Sequence, residues 1–209
     1  MYNAEKYSYI NIREYLCTPD SDETGEKSLL EIISSFFCPI NPDVENFLKN
    51  NAIEFTKKSQ SVTYLVFSNQ GDLELLGYFT IAIKPLLINS RKSQLSNTTK
   101  KKLLRIGKYD ETNHSYMLSA YLIAQLGKNF NHNISQTISG NELLSIALHV
   151  VRELKYLAGG TVVFLEAENK TNLMNFYENE ENGFIKVDDK NVNTSLTESH
   201  ELVQLIKLI

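Results

Sequence analysis

Few of the side chains capable of chemistry stand in a pattern that chemistry requires. His114, His132, His149 and His200 are scattered, and none has the i, i+4 spacing of a metal-binding helix. His149 falls in a helical run and reads as structural or solvent-facing. Cys17 and Cys38 cannot form a disulfide framework, so reduced thiols are the expectation. No Ser-His-Asp or Cys-His arrangement can be picked out, and no metal is expected. Two features remain. Ser139-Gly140-Asn141-Glu142 has capping-box spacing. The first-turn amides of a helix lack partners and its dipole favours negative charge, so Ser139, Gly140 and Asn141 could hold a phosphate. Capping alone, which any helix can do, is the simpler alternative. The second feature is charge. Residues 75–109 carry 8 basic side chains and no acidic one, whereas 1–74 carry 12 acidic and 6 basic, and 110–209 carry 13 acidic and 7 basic. A net charge of −4 therefore leaves room for a basic surface facing a polyanion. A solvated arm is the blander reading of the same run.

The elements that must position these residues follow from periodicity. An N-terminal strand, a polar loop over Asp20–Lys27 and a helix over Ser28–Phe37 come first. Asn41-Pro42-Asp43 is a helix start: a cap, a first-turn proline and an acid at the positive end. Val44, Phe47, Leu48, Ala52 and Phe55 then predict one amphipathic helix over 42–58. Val62–Phe67 and Leu75–Lys84 read as strands joined through Asn69-Gln70-Gly71-Asp72. Residues 89–114 lose the strand pattern and read as an inserted basic arm with a short helix around Thr98–Ile106. Ser115–Gly127 is a long, nearly all-apolar strand, which implies that both its faces are covered. The capping box then opens a helix whose buried face is Leu143, Ala147, Val150, Val151 and Leu154, stopped by Gly159-Gly160. Thr161–Leu165 is a buried strand and Thr171–Glu180 a short helix in which Phe176 and Tyr177 are by default core aromatics. Phe184–Val187 and Leu202–Leu208 close the chain as strands. This order predicts an α+β fold, an α/β sandwich around one mixed central sheet with helices on both faces.

Composition agrees. A chain of 209 residues that is 42% apolar and 22% charged can bury a core, which excludes a disordered protein. It corresponds to a single domain over 1–209 carrying the basic insertion at about 89–114. The longest apolar runs fall far short of the ~20 residues of a membrane span. No basic region leads into an apolar one at the N-terminus, so a cytoplasmic protein is the expectation.

The segment from Tyr121 to Phe184, YLIAQLGKNF…NFYENEENGF, resembles the core of the GCN5-related N-acetyltransferases. That family has a strand, a pyrophosphate loop, a long helix, a second strand, and a short helix with a Tyr followed by Gly-Phe. FFCPINPDVENFLKNNAIEF and LLGYFTIAI upstream are similar to the branch that includes the aminoacyl-tRNA-acetylating toxins, and ELVQLIKLI resembles the closing strand. Aligned on Gly140, the loop positions are Ser135, Ile138 and Gly140, of which only the glycine matches the family's pattern. The stretch from Tyr177 to Gly183-Phe184 is two residues longer than the common spacing.

The resemblance implies an acetyl-CoA-dependent N-acetyltransferase that transfers directly to a primary amine in a ternary complex. Pantetheine would lie along Leu126, Gly127 and Lys128, and the pyrophosphate on the amides of Ser139, Gly140 and Asn141, with Asn172 near the cofactor. Tyr177 would be the acid that protonates the leaving thiolate, its ordinary pKa near ~10 suiting that task. Glu166 and Glu168 end the second strand of the motif and are candidate bases, with solvated strand-end carboxylates the equal alternative. Two other functions stay open: a CoA- or nucleic-acid-binding protein that keeps the fold without turnover, and a toxin-like enzyme acetylating aminoacyl-tRNA. Arg91, Lys92, Lys100, Lys101, Lys102, Arg105 and Lys108 would serve the latter, since phosphate contacts dominate tRNA affinity. The acceptor amine, a homodimer and an antitoxin-like partner are not readable from the residues.

Overall fold

The computed structural model describes residues 2–16, 24–71, 73–131, 138–192 and 200–209. Cys17 and Ser135 lie outside them. The chain forms two compact units, Met1–Ala82 with Ile123–Val150, and Ile83–Leu122 with Val151–Ile209.

In the first unit, β1 (Tyr7–Asn11) pairs antiparallel with β2 (Val62–Ser68), and β2 with the first part of β3 (Leu75–Asn89). Tyr9 faces Val66 and Leu65 faces Tyr78, with a bulge at Val66/Phe67. Four helices accompany these strands: α1 (Arg13–Leu16), α2 (Thr24–Ser34), α3 (Pro42–Asn50) and α4 (Ala52–Lys57). Their apolar faces join Leu65, Phe67, Leu75 and Tyr78 in a core that includes Leu29, Ile33, Phe36, Val44 and Leu48. α2, Thr24–Ser34 against the expected Ser28–Phe37, lies nearer the N-terminus at both ends than its periodicity predicts, leaving Phe36 to plug the core from the following turn. α3 begins as expected, with the Asn41 side chain accepting from the Val44 amide at 3.4 Å and Pro42 in the first turn.

The single helix predicted over 42–58 is two. Asn51, with φ −121 and ψ −31, leaves the helical region between α3 and α4. Val44, Leu48, Ala52 and Thr56 are all buried, so the four-residue stripe runs on through the break and hides it from periodicity.

In the second unit, β3 continues to Asn89, five residues past the predicted end, with Leu86 and Ile88 buried and Pro85 and Leu87 exposed. The segment 89–114 is an ordered part of this unit. It holds α5 (Asn97–Ile106), capped where the Ser96 hydroxyl accepts from the Thr99 amide at 3.2 Å, and the short strand β4 (Lys108–Asp110). Leu86, Ile88, Leu95 and Leu103 pack with Tyr116, Leu118, Val162, Phe164 and Ile206. The basic run is thus the outer face of a core element. Gly107 ends α5 against β5 (Ser115–Lys128), where a Cβ would lie 2.2 Å from a Leu118 methyl.

Along β5 the burial alternates at first: Tyr116, Leu118 and Ala120 are buried, Met117 and Ser119 exposed. The expectation of two covered faces therefore fails over this half. The apolar run misled because Met117 is an exposed apolar residue. After β5 comes α6 (Gly140–Ala158), which ends at Gly159 and Gly160, both at positive φ that suits glycine. β6 (Val162–Glu168), α7 (Thr171–Glu178), β7 (Ile185–Val192) and β8 (His200–Leu208) complete the chain. β8 lies between β6 and β7, antiparallel to both. β5 and β6 run parallel, paired at Tyr121–Val163 and Leu122–Phe164. The strand order β1-β2-β3-β5-β6-β8-β7, with β4 on β5, makes a mixed eight-stranded sheet, as the α+β reading requires. No helix among the described residues is long and apolar enough to cross a membrane.

Candidate functional site

The end of β5 and the start of α6 lie in the first unit. β5 runs on to Lys128 after its last pair with β6 at Leu122, so Leu126, Gly127 and Lys128 form the strand end that precedes the helix. Gly127 is a packing requirement: a Cβ would fall 2.4 Å from the Val44 side chain and 2.7 Å from the Tyr78 ring. The Tyr78 hydroxyl donates to the Val44 carbonyl at 2.6 Å, which ties α3 to β3. Next to Lys128, the fully buried Asn129 ties three segments together. Its side-chain amide donates to the Leu75 carbonyl at 2.8 Å, and its oxygen accepts from the Phe37 amide at 3.0 Å and the Asn131 amide at 3.1 Å. Sequence reasoning passed over Asn129, whose only signal was a polar residue closing an apolar strand.

The capping box forms as predicted. The Ser139 hydroxyl accepts from the Glu142 amide at 3.2 Å, and Glu142 Oε2 accepts from the Ser139 amide at 2.8 Å and hydroxyl at 2.7 Å. The other oxygen of Glu142 accepts from the Tyr7 hydroxyl at 2.8 Å. Of the three amides expected to face an anion, that of Ser139 is thus already engaged, and Gly140 and Asn141 follow it on the first turn. Burial opposes ionisation of Glu142, but the Ser139 and Tyr7 hydrogen bonds and the nearby Lys6 outweigh it and hold its pKa below the ordinary value. The Tyr7 phenol is pushed up to about 12, by burial first and by Glu142 second. Burial also lowers the Lys128 pKa, against the pull of Glu142, and its ammonium lies 5.6 Å from the Phe130 ring centre. Ile138, which stands where the resembled family carries a glycine, is buried.

Glu166, Glu168, Asn172 and Tyr177 lie in the second unit. Glu166 accepts from the buried Gln204 amide at 3.2 Å, and Glu168 forms an ion pair with Lys170, so both strand-end carboxylates have structural partners. Asn172 is exposed on the first turn of α7. Tyr177, on the last turn, is half-buried between two rings, edge-on to Phe176 at 4.8 Å and to Phe184 at 5.8 Å. Burial alone pushes its phenol up to about 12, above the value an exposed tyrosine would have.

α5 presents Lys101, Lys102, Arg105 and, just after it, Lys108 on its exposed side, with Arg91 and Lys92 exposed before it. Lys100 is the exception: its ammonium donates to the Ser90 carbonyl at 3.0 Å and so belongs to the turn that precedes the helix. A shallow groove lined by Ile106, Lys108, Met117, Ser119 and Thr161 shares no residue with the predicted cofactor site. His149 lies tilted against Tyr2, ring centres 4.6 Å apart, and meets Tyr9 edge-on, as a structural histidine would. No cluster of three metal-ligating side chains occurs among the described residues.

No protein-family model matches the chain, and no curated protein matches it. Solved structures do. A tyrosine-to-phenylalanine mutant of the AtaT toxin superposes with a TM-score of 0.60 at 15% identity, covering 100% of this chain and 92% of that one. A tyrosine-to-phenylalanine mutant of KacT gives 0.59 at 17% identity, covering 95% of this chain and 94% of that one. AtaT complexed with acetyl-methionyl-tRNAfMet gives 0.56 at 16% identity, covering 94% and 93%. AtaT has also been solved with acetyl-CoA and the C-terminus of the antitoxin AtaR. At these identities the likeness is one of fold: the chain has the mixed α/β, GNAT-like architecture of AtaT and KacT.

Proposed function

We propose that the chain is an acetyl-CoA-dependent N-acetyltransferase that transfers the acetyl group directly to a primary amine. What supports this reading is the place of Tyr177, on the helix after β6 and between the Phe176 and Phe184 rings, in a chain with the fold of AtaT, which has been solved with acetyl-CoA. On this reading pantetheine pairs with the backbone of Leu126, Gly127 and Lys128. Gly140 and Asn141 at the start of α6 offer the pyrophosphate their amides, with the Ser139–Glu142 box fixing that turn. Lys128 adds a positive charge beside a carboxylate that is already partnered, so it can oppose the cofactor's phosphates.

The chemistry needs little else. The amine attacks the thioester carbonyl, the tetrahedral adduct collapses, the C–S bond breaks, and the sulfur leaves with its electron pair. Tyr177 delivers a proton to that sulfur. Its pKa, pushed up to about 12 by burial, keeps it protonated at neutral pH, as a proton donor must be. The attacking amine loses its own proton to a base that we leave unassigned, because Glu166 and Glu168 are both held by neighbours.

A specific observation favours aminoacyl-tRNA as the acceptor: the exposed row Lys101, Lys102, Arg105 and Lys108, anchored through Leu103 to the core, is a rigid basic face. AtaT, of the same fold, was captured with an acetylated aminoacyl-tRNA. A cytoplasmic location accords with this reading. The reading is tested by incubating the chain with acetyl-CoA and aminoacyl-tRNA and following free thiol and the mass of the aminoacyl group. Thiol release with a 42-dalton gain on the amine, about the mass of one acetyl group replacing a proton, supports it. Tight CoA binding with no transfer to any amine favours the silent-fold alternative.

A further inference from the structure

The stretch between Tyr177 and Gly183-Phe184 folds back on the end of α7 in a way that periodicity does not predict. The last carbonyls of a helix need partners, and here they receive them from two asparagines. The side-chain amides of Asn179 and Asn182 donate to the same acceptor, the Phe176 carbonyl, at 2.7 and 2.6 Å. Asn179 in turn accepts from the Asn182 amide at 2.7 Å on its side chain and from the Gly183 amide at 2.7 Å on its carbonyl. Gly183 turns the chain at φ +60, and the Phe184 amide donates to the Tyr177 carbonyl at 3.0 Å. The extra length of the loop is taken up within this knot, so that Phe184 returns to lie against the Tyr177 ring. A third side chain locks the knot from outside: Lys207 on β8 donates its ammonium to the Asn182 carbonyl and lies over the Phe184 ring, 5.9 Å from its centre. Lys207 is paired across the ladder with Val163, the residue of β6 that also pairs with Tyr121 of β5. Asn182 is 3% exposed, an uncommon place for an asparagine unless its hydrogen bonds are needed there.

We propose that Asn182, held by Asn179 and Lys207, is the positioning residue of the Tyr177 phenol, clamping the Phe184 ring against it and fixing its orientation from the β6 ladder. This rests on the reading of Tyr177 as the acid, but the clamp itself can be tested apart from catalysis. Asn182→Ala removes one of the two side-chain donors to the Phe176 carbonyl, Lys207→Met removes the outer lock while keeping a chain over Phe184, and Lys207→Arg restores the outer donor. The readout is the Cζ resonance of Tyr177 in protein labelled with 13C-tyrosine, assigned by its loss in Tyr177→Phe and followed from about pH 8 to about pH 11, where an ordinary phenol titrates. The wild type and Lys207→Arg should stay flat over most of this range. Asn182→Ala, and to a smaller extent Lys207→Met, should begin to titrate about one pH unit or more earlier as water reaches the ring. In the acetylation assay the same two variants should lose kcat while KM for acetyl-CoA holds. Should Asn182→Ala fail to fold, Lys207→Met and its arginine rescue decide the matter. Folded variants whose Tyr177 titrates as in the wild type overturn the clamp. An earlier titration with unchanged kcat upholds the clamp and removes Tyr177 from the chemistry instead.

Discussion

Tyr177 is half-buried between two rings, and the structure gives its phenol no hydrogen-bond partner among the described residues. Replacing it with Phe keeps both edge-on ring contacts and deletes a hydroxyl that stabilises nothing. Tyr177→Phe should therefore unfold at the wild-type urea midpoint, within the error of the measurement. Acetyl transfer should fall about a hundred- to ten-thousand-fold, the worth of a positioned proton donor. Wild-type turnover in that variant would return Tyr177 to packing alone. Glu142 gives a second prediction at this scale. Its carboxyl is held below the ordinary value, so it contributes stability above the unfolded pKa of about 4.3, lost as pH falls through the folded value. In Glu142→Gln this acid limb should disappear, so the stability gap between the two proteins should narrow from about pH 5 downward. Denaturant titrations at several pH values measure the gap, and one that stays constant would contradict the assigned hydrogen bonds.

Among the elements, the end of β5 and the helix α5 are the ones whose side chains can be tested apart from the chemistry. Asn129 satisfies a carbonyl of β3, an amide before α3 and its own following turn, all out of water. Asn129→Ala leaves those groups without partners, each at ~1–3 kcal/mol, so a loss of about 3 kcal/mol is expected in equilibrium unfolding. A loss below about 1 kcal/mol would mean that water replaces the side chain. On α5, reversing the charge of Lys101, Lys102 and Arg105 together should flatten the salt dependence of tRNA binding while leaving CoA affinity unchanged. Lys100 is better left alone, because its bond to Ser90 makes it part of the helix's support. Periodicity and cap chemistry made several elements legible: Asn41-Pro42 opens α3, Ser139 with Glu142 opens α6, and Gly159-Gly160 closes it. The break at Asn51 was hidden because the buried stripe continues across it. The Asn179–Asn182 knot was hidden because capping by side-chain amides over six residues has no period to detect. Gly127 was legible as a strand residue, but its closeness to Val44 and Tyr78 depends on a long-range packing that sequence spacing does not encode.

For the whole molecule, the order of elements was enough to read a mixed sheet with a strand, capped helix, strand and short helix at its heart. The eight-stranded order and the likeness to AtaT and KacT agree with it. What the order of elements could not supply is the placement of β8 between β6 and β7, which decides that Lys207 reaches the loop after Tyr177. Charge partition also belongs to this scale: the acidic total conceals one basic face, and that face is rigid because its apolar stripe is core. The claim on which the rest depends is that this chain binds acetyl-CoA. Isothermal titration of the full chain with acetyl-CoA tests it most directly. Saturable heat with one site per chain and a rise in melting temperature that grows with ligand concentration are expected. No heat and no thermal shift at millimolar acetyl-CoA would contradict it.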